Sequence, residues 1–266
     1  MTTILKQELK MNLKSLLYWS IGMILLVAVA IAEYSTVVDV DAENSMMPML
    51  MAMPKIIRVM FGMNAISIDT PMGYFACMLL WFQFVAFFHA AFLGASILAK
   101  EERDRTADYI FTKPYSRSTV ITAKVLAAVI NMAVLNGITW GMSAVAFGNP
   151  EDFEPIQKEI ALLMVGMFLV QLIFFALSLM ISGWAKTQKK ASSVSLLSVL
   201  VVYMIGVAIE YEEVTKIDFL SFFRYFHPLG IQEDGIRIGY VILSLMLAGI
   251  FTAIAYQLYN KRDLQV

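Results

Sequence analysis

The sequence has little charge for its length. Only 15% of its 266 residues are Asp, Glu, Lys or Arg, whereas 59% are hydrophobic, and the mean hydropathy is +0.71. A soluble globular domain has about 25% charged and about 45–50% apolar residues, so this chain lacks the polar surface that water requires. A formal net charge of −1 also provides no broad positive face for nucleic acid. The chain is therefore expected in a lipid bilayer and not on a nucleic acid.

Residues that build covalent, metal or nucleotide sites are also scarce. The one cysteine, Cys77, has no partner for an internal disulfide, and with only two histidines it makes a poor set of metal ligands. The methionine-rich stretch 46–63 is interpreted as flexible apolar filler rather than as copper(I) ligands. No Gly-x-x-x-x-Gly-Lys-Ser/Thr segment is present, so the chain has no P-loop. We expect no enzyme activity, no bound cofactor and no metal in this chain.

Long uncharged apolar runs are what the chain has in abundance. A transmembrane helix needs about 20 apolar residues, because the hydrocarbon core is about 30 Å thick and each residue rises about 1.5 Å. Peptide groups in lipid have no water to bond, so each run is predicted to be an α-helix. Six runs free of Asp, Glu, Lys and Arg qualify, at approximately 15–32, 72–99, 125–147, 160–185, 191–209 and 238–260. The predicted fold class is an all-α integral membrane protein, one transmembrane domain over residues 1–266.

The distribution of Lys and Arg orients these spans, because positively charged segments are retained in the cytoplasm. With the N-terminus inside, the inner segments contain 14 of the 20 basic residues and 6 of the 21 acidic ones. The inner side then has a net charge of +8 and the outer side −9. We predict a multi-pass protein of the cell membrane with both termini in the cytoplasm. The first run follows lysines as a secretory signal does, but we expect it to stay uncleaved, since its removal would break this asymmetry.

The segments between the spans have distinct characters. Residues 3–17 place three lysines four apart among leucines, which predicts an amphipathic interfacial helix that then turns upward into the first span. The outer segments 33–71 and 210–237 combine apolar or aromatic residues with proline, which predicts interfacial or re-entrant structure buried against protein. In the inner segment 100–119, nine of 20 residues are charged, so this segment must face the cytoplasm.

A few polar side chains lie within the predicted spans. Such groups hydrogen-bond between helices, at about 0.6 kcal/mol per bond on average, or they line a substrate path. Asn136, Thr139 and Ser143 share one helix face, which favours the interhelical interpretation. The imidazole of His89 is open to the same two interpretations. The candidates for a substrate path are Gln83, His89, Asn131, Asn136 and Ser195.

The inner segment contains an ordered pattern of charged, apolar and turn residues. Its members are Glu101, Glu102, Arg103, Asp104, Arg105, Thr106, Asp108, Tyr109, Ile110, Phe111, Lys113, Pro114, Ser116, Arg117 and the later Lys124. This pattern resembles the cytoplasmic loop between the second and third spans of type-2 ATP-binding-cassette exporter permeases. That loop has an acidic cluster, Gly-Thr, an acid, apolar residues, Pro-x-Ser-Arg and a Lys. One departure is Arg105, where the family commonly has glycine.

Three further stretches are similar to landmarks of the same family. Residues 54–74 resemble its first outer segment, residues 220–228 its second, and Lys261-Arg262-Asp263-Leu264 its C-terminal signature. With the inner loop they occur in the family's order along the six predicted spans. The resemblance therefore extends over nearly the whole chain.

The resemblance implies a permease that forms a homodimer or heterodimer and is driven by separate cytoplasmic ATPase subunits, which bind ATP and Mg²⁺. The residues from Glu101 to Arg117 would form a coupling helix lodged in a cleft of the ATPase, where mixed charge fixes register and partner choice. The expected cargo is an amphipathic peptide, an antibiotic or a lipid-like molecule, exported from the cell. The alternatives are a sodium-exporting permease, a secondary carrier and a membrane scaffold.

Overall fold

The computed structural model describes residues 1–37, 52–63, 66–97, 117–149, 154–185 and 187–261. In these ranges the regular structure is helical. The long helices are α1 (Thr2–Val37), α3 (Pro71–Ile97), α4 (Arg117–Phe147), α5 (Gln157–Trp184), α6 (Gln188–Tyr211) and α8 (Ile238–Lys261). The short ones are α2 (Lys55–Met60), α7 (Pro228–Asp234) and two 3₁₀ helices, Thr215–Leu220 and Phe222–Arg224.

The six long helices are each long and apolar enough to cross a membrane, which confirms the predicted fold class. Each contains most or all of one predicted run. The agreement is close for α3, which covers Pro71–Ile97 against a predicted 72–99, and for α8, which begins at the predicted Ile238. Hydropathy finds these elements because lipid admits no other backbone structure for an isolated apolar segment.

The N-terminal segment differs from the prediction in one respect. Residues 3–17 are helical, but they continue into the first span as the single helix α1, and the expected turn between them is absent. The segment has no glycine or proline before Gly22 that would break the helix. Its three lysines, Lys6, Lys10 and Lys14, are exposed, as the amphipathic pattern requires. The position of this segment at the membrane surface stays a prediction.

Helix α5 is the centre of the described structure and packs against α3, α4, α6 and α8. Its contact with α3 is close because Gly94 has no side chain. A Cβ at this position would lie 2.4 Å from the carbonyl oxygen of Phe175. Ala86 and Ala90, on the same ridge of α3, are fully buried. Small residues therefore set the approach of these two helices.

The N-terminal end of α3 begins with a capped turn. The Thr70 hydroxyl accepts a hydrogen bond from the Gly73 amide at 3.1 Å and donates one to the Ser67 carbonyl at 2.7 Å. Pro71 occupies the first helical position, where its missing N–H costs nothing. A Cβ on Gly73 would lie 1.8 Å from the Ser67 oxygen, so the turn requires glycine there. These residues belong to the first outer landmark of the sequence.

The aromatic residues of the second outer segment insert between the long helices. The ring of Phe223 lies 5.0 Å from that of Phe87, near the middle of α3. The ring of Phe222 lies 5.4 Å from that of Phe174 in α5. Ser221 is fully buried and donates a hydrogen bond to the Val202 carbonyl of α6 at 2.9 Å. The segment thus reaches well inside the helical bundle, while its depth in a bilayer stays a prediction.

Candidate functional site

The predicted coupling loop lies outside the described residues except at its end. This applies to every candidate interface residue from Glu101 to Pro114, whereas Arg117 is the first residue of α4. Their role stays a prediction. The structure describes the two anchor points of the loop, Ile97 at the end of α3 and the first turns of α4.

Lys124 connects these two anchor points. It lies about two turns into α4, and its side chain is only 1% exposed. The ammonium Nζ donates a hydrogen bond to the Ile97 carbonyl oxygen at 2.8 Å. Carbonyls in the last turn of a helix have no partner within the helix and attract positive charge. The start of α4 is therefore fastened to the end of α3.

Glu8 of α1 also approaches Lys124. Its side chain is 6% exposed, and its Oε1 lies 3.8 Å from Lys124 Nζ, an ion-pair distance too long for a hydrogen bond. Its Oε2 has no hydrogen-bond partner among the described residues. We call Glu8 and Lys124 the inner pair. A buried ion pair loses much of its attraction to desolvation, so this one is poor evidence for stability.

Three of the substrate-path candidates are buried within the chain. His89 of α3 is buried, with its ring 5.5 Å from that of Trp19 in α1. Asn131 of α4 donates a hydrogen bond to the Ala127 carbonyl of its own helix at 2.7 Å. Ser195 of α6 is completely buried. The role of these three side chains in a path stays a prediction.

Asn136 makes the interhelical hydrogen bonds that its position on α4 suggests. Its Nδ2 donates to the Met164 carbonyl and to Gln171 Oε1, both in α5 and both at 3.2 Å. Asn136 is 7% exposed and Gln171 is fully buried. The geometry favours a packing contribution from this residue.

Gln83 is the candidate that borders a cavity. The cavity measures about 70 Å³, which is room for a few water molecules. It lies between α3, α6 and the outer segments, and its lining combines apolar side chains with charged and polar ones. Its lining includes Val59, Leu79, Leu80, Gln83, Tyr203, Val207, Glu210, Phe223, Arg224 and His227.

Glu210 and Arg224 of the cavity lining belong to a compact hydrogen-bonded group that also includes Asp218. Arg224 Nε donates to Asp218 Oδ1 at 2.6 Å, and Arg224 Nη1 donates to Glu210 Oε2 at 3.0 Å. The three side chains, which we call the outer cluster, are 13–19% exposed. They bind the 3₁₀ helices of the outer segment to the last turn of α6. Charge-assisted bonds of this length are the stronger kind in proteins.

His227 lies beside the outer cluster. Its Nε2 is 3.9 Å from Glu210 Oε2. Burial, followed by the positive charge of Arg224, lowers the pKa of His227 to about 4, while Asp218 acts in the opposite direction. The imidazole is therefore neutral near pH 7. In the residues that the structure covers, no group of three or more His, Cys, Asp or Glu side chains is placed to hold a metal ion.

Sequence reasoning missed both charged groups as units. It counted Lys124 as the end of the inner run and Glu8 as one inner acid. One signal was present, since Glu8 is the sole acid among the lysines that precede the first span. The outer cluster carried a weaker signal, because Arg224 is a lone base among aromatic residues.

Comparison with known proteins agrees with these features. No curated protein matches the chain. The family model described as ABC-2 family transporter protein matches residues 2–264, nearly the whole length. The match includes all six long helices, the inner pair and the outer cluster. The chain belongs to the ABC-2 family of transporter proteins, the membrane-embedded permease components of ATP-binding-cassette transporters.

Proposed function

We propose that this permease forms the conduit of an exporter, assembled from two permease subunits and driven by a separate cytoplasmic ATPase. The observation that carries the proposal is the family match over residues 2–264 together with six helices whose apolar runs are uncharged. The chain has no P-loop, so the energy source must be a partner. ATP and Mg²⁺ would be bound by that partner.

The inner loop would receive the motion of the ATPase. It joins α3 to α4, and both helices pack against the central α5. Pro114 would end a short helix in the loop and direct the chain into α4. Because Lys124 fastens the ends of α3 and α4 together, displacement of the loop would move the two helices as one body.

An amphipathic cargo suits the surfaces that the chain offers. The lining of the outer cavity combines apolar side chains with charged ones, both of which a molecule with an apolar tail and a polar head would contact. Its present volume admits water only, so cargo would leave by separation of the outer segment from α6 or between two permease subunits. Exposed apolar side chains on α1 and α6, such as Leu17, Tyr18, Leu197 and Val201, provide surface for lipid and for a second subunit.

Reconstitution with the partner ATPase tests the proposed function. The complex is placed in liposomes and supplied with ATP and one of three probes, a fluorescent cationic amphipathic peptide, a fluorescent lipid or radiolabelled sodium. We expect the peptide or the lipid to stimulate ATP hydrolysis and to be transported. Stimulation by sodium alone would identify an ion exporter. Uptake driven by a proton gradient without the ATPase would identify a secondary carrier.

The orientation has its own test. Single cysteines are introduced at Asp108 and at Glu233 in a Cys77→Ala background and treated with an impermeant maleimide in intact cells. We expect labelling at position 233 in intact cells and at position 108 only after permeabilisation, because the inner side holds the positive charge. The reverse pattern would invert the membrane orientation and remove the ATPase contact.

A further inference from the structure

Two points in the structure converge on the ends of the inner loop. One is the hydrogen bond from Lys124 to Ile97, which joins α4 to α3. The other is the approach of Glu8, which brings α1 to the same ammonium group. We propose that the inner pair is a latch that couples the N-terminal part of α1 to the coupling loop, so that α1 moves with the loop. This role rests on the proposed function.

The position of the latch follows from where each residue lies. Lys124 begins the apolar run of α4, and Ile97 is the last described residue of α3. Glu8 lies on the face of α1 that continues through Met23, Val27 and Ala30, all buried. The lysines of the same segment are exposed, so Glu8 is the charge that this helix turns inward. Three helices therefore meet at one ammonium group on the inner side of the chain.

Packing of α1 against α3 and α4 does not by itself require the charges of Glu8 and Lys124. Apolar residues of similar volume commonly replace a buried ion pair without loss of stability, because desolvation offsets the attraction. The 3.8 Å separation and the unpartnered Oε2 of Glu8 make this pair a weak one even by that standard. We infer that this weak pair holds α1 and α4 together in one conformation of the permease and releases them in another. That property suits a joint that moves with the ATPase.

The pair also differs from the other contacts of α1. Most of this helix packs on α4 and α3 through apolar side chains. In its first three turns the exposed lysines offer no such contact, and Glu8 is the one residue there that is buried. Loss of the pair should therefore release this part of α1 first, while the remainder stays packed.

The test uses the neutral double variant E8Q/K124M, which removes both charges of the pair. If the pair were only a packing element, this variant would behave as wild type once it folds. We expect it to fold and to copurify with the ATPase, while permease-dependent stimulation of ATP hydrolysis falls about tenfold. In the permease alone, hydrogen exchange of residues 2–14 should be faster by about tenfold. E8Q alone, which is nearly isosteric, should change both quantities in the same direction.

K14M is the matched control, since it makes the same chemical change at an exposed lysine of the same helix. We expect wild-type hydrolysis and exchange from it. Wild-type stimulation by the double variant, or unchanged exchange of residues 2–14, would overturn the latch. A wild-type permease that gives no stimulation would instead refute the proposed function, and the exchange measurement would still decide whether the inner pair holds α1.

Discussion

The outer cluster and the inner pair both connect segments of this permease through charged side chains, but they differ in bond length, burial and the sequence distance that they bridge. The outer cluster joins residues close in sequence, through hydrogen bonds of 2.6 and 3.0 Å, at side chains that keep 13–19% exposure. The inner pair joins residues far apart in the sequence, Glu8 of α1 and Lys124 of α4, at 3.8 Å with 6% and 1% exposure. In the outer cluster two carboxylates share one guanidinium, whereas the inner pair brings the Glu8 carboxylate to ion-pair distance from an ammonium that also donates to a backbone carbonyl.

This difference indicates which group is built to hold and which to move. In the outer cluster, loss of one carboxylate leaves the other paired with Arg224, and loss of Arg224 leaves two carboxylates that water partly reaches. The inner pair is more deeply buried, so removal of Lys124 leaves the Glu8 carboxylate in a low dielectric with little water to replace the cation. The outer cluster is thus suited to holding the outer segment on α6, and the inner pair is suited to a contact between α1 and α4 that forms in one conformation and breaks in another.

The sharpest contrast should come from removal of the lysine. Lys124→Ala leaves Glu8 buried without its cation and leaves the Ile97 carbonyl without its donor. We expect a loss of about 3–5 kcal/mol in unfolding free energy, visible as a lower thermal midpoint in detergent. The double variant Glu8→Leu/Lys124→Met should return to within about 1 kcal/mol of wild type. Equal destabilisation by both variants would show that the cost lies in packing and not in the stranded charge.

Removal of the outer arginine should have a smaller effect. Arg224→Ala breaks two charge-assisted bonds, but the carboxylates of Glu210 and Asp218 are partly hydrated. We expect a loss of about 1–2 kcal/mol, with faster proteolysis or hydrogen exchange confined to residues 215–228. Arg237→Ala is the control, since it breaks an exposed pair with Asp234 at 2.9 Å in the same region. If Arg224→Ala lowered the unfolding free energy as much as Lys124→Ala does, the proposed difference between the outer cluster and the inner pair would be wrong.

Acid should weaken the outer region through His227. Its pKa is about 4 in the folded chain and about 6.5 when unfolded, so the unfolded state binds the extra proton between these values. The contribution of the neutral imidazole is complete above pH 6.5 and is lost as the pH falls toward 4. We expect a loss of about 2 kcal/mol near pH 5 and a flatter profile for His227→Gln. Glu210 and Asp218 also face this site and remain in the variant. An unchanged profile for His227→Gln would assign the acid sensitivity to them.

The smallest effect is expected at the exposed pair of Lys55 and Glu213. Their Nζ and Oε1 atoms are 2.6 Å apart, and Glu213 is largely exposed. The hydrogen bond and charge of Lys55 lower the pKa of Glu213. Lys55→Met should return that pKa to its ordinary range, measurable by carbon NMR of labelled glutamate, without a detectable change in thermal midpoint. A clear drop in the thermal midpoint would show that this contact also stabilises the packing of α2 on α6.

The elements of the fold were predictable from the sequence, because hydropathy is a local property. The absence of charge in 238–260 predicted α8 almost to its ends. The turn expected after residue 17 was wrong, since nothing in that segment interrupts a helix in α1. An amphipathic pattern indicates which face of a helix is polar, but it does not indicate whether the chain bends between that segment and the next.

The charged contacts could not be predicted in the same way. Glu8 and Lys124 are far apart in the chain, and only the packing of α1 against α4 brings them together. Arg224 was visible as an isolated base, yet its two partners depend on how the 3₁₀ helices fold back on α6. The coupling residues Glu101 to Pro114 lie outside the described structure, so their assignment still depends on the resemblance and the family match.

The measurement that tests the account most directly is charge reversal in the inner loop, Glu101→Lys/Glu102→Lys, in the complex with the ATPase. The matched control is Glu212→Lys/Glu233→Lys, the same change at two exposed positions of the predicted outer side. The account predicts that the loop variant inserts normally but loses copurification of the ATPase or its stimulated hydrolysis, while the control keeps both. Full coupling in the loop variant would contradict the claim that a partner ATPase drives this permease through its inner loop.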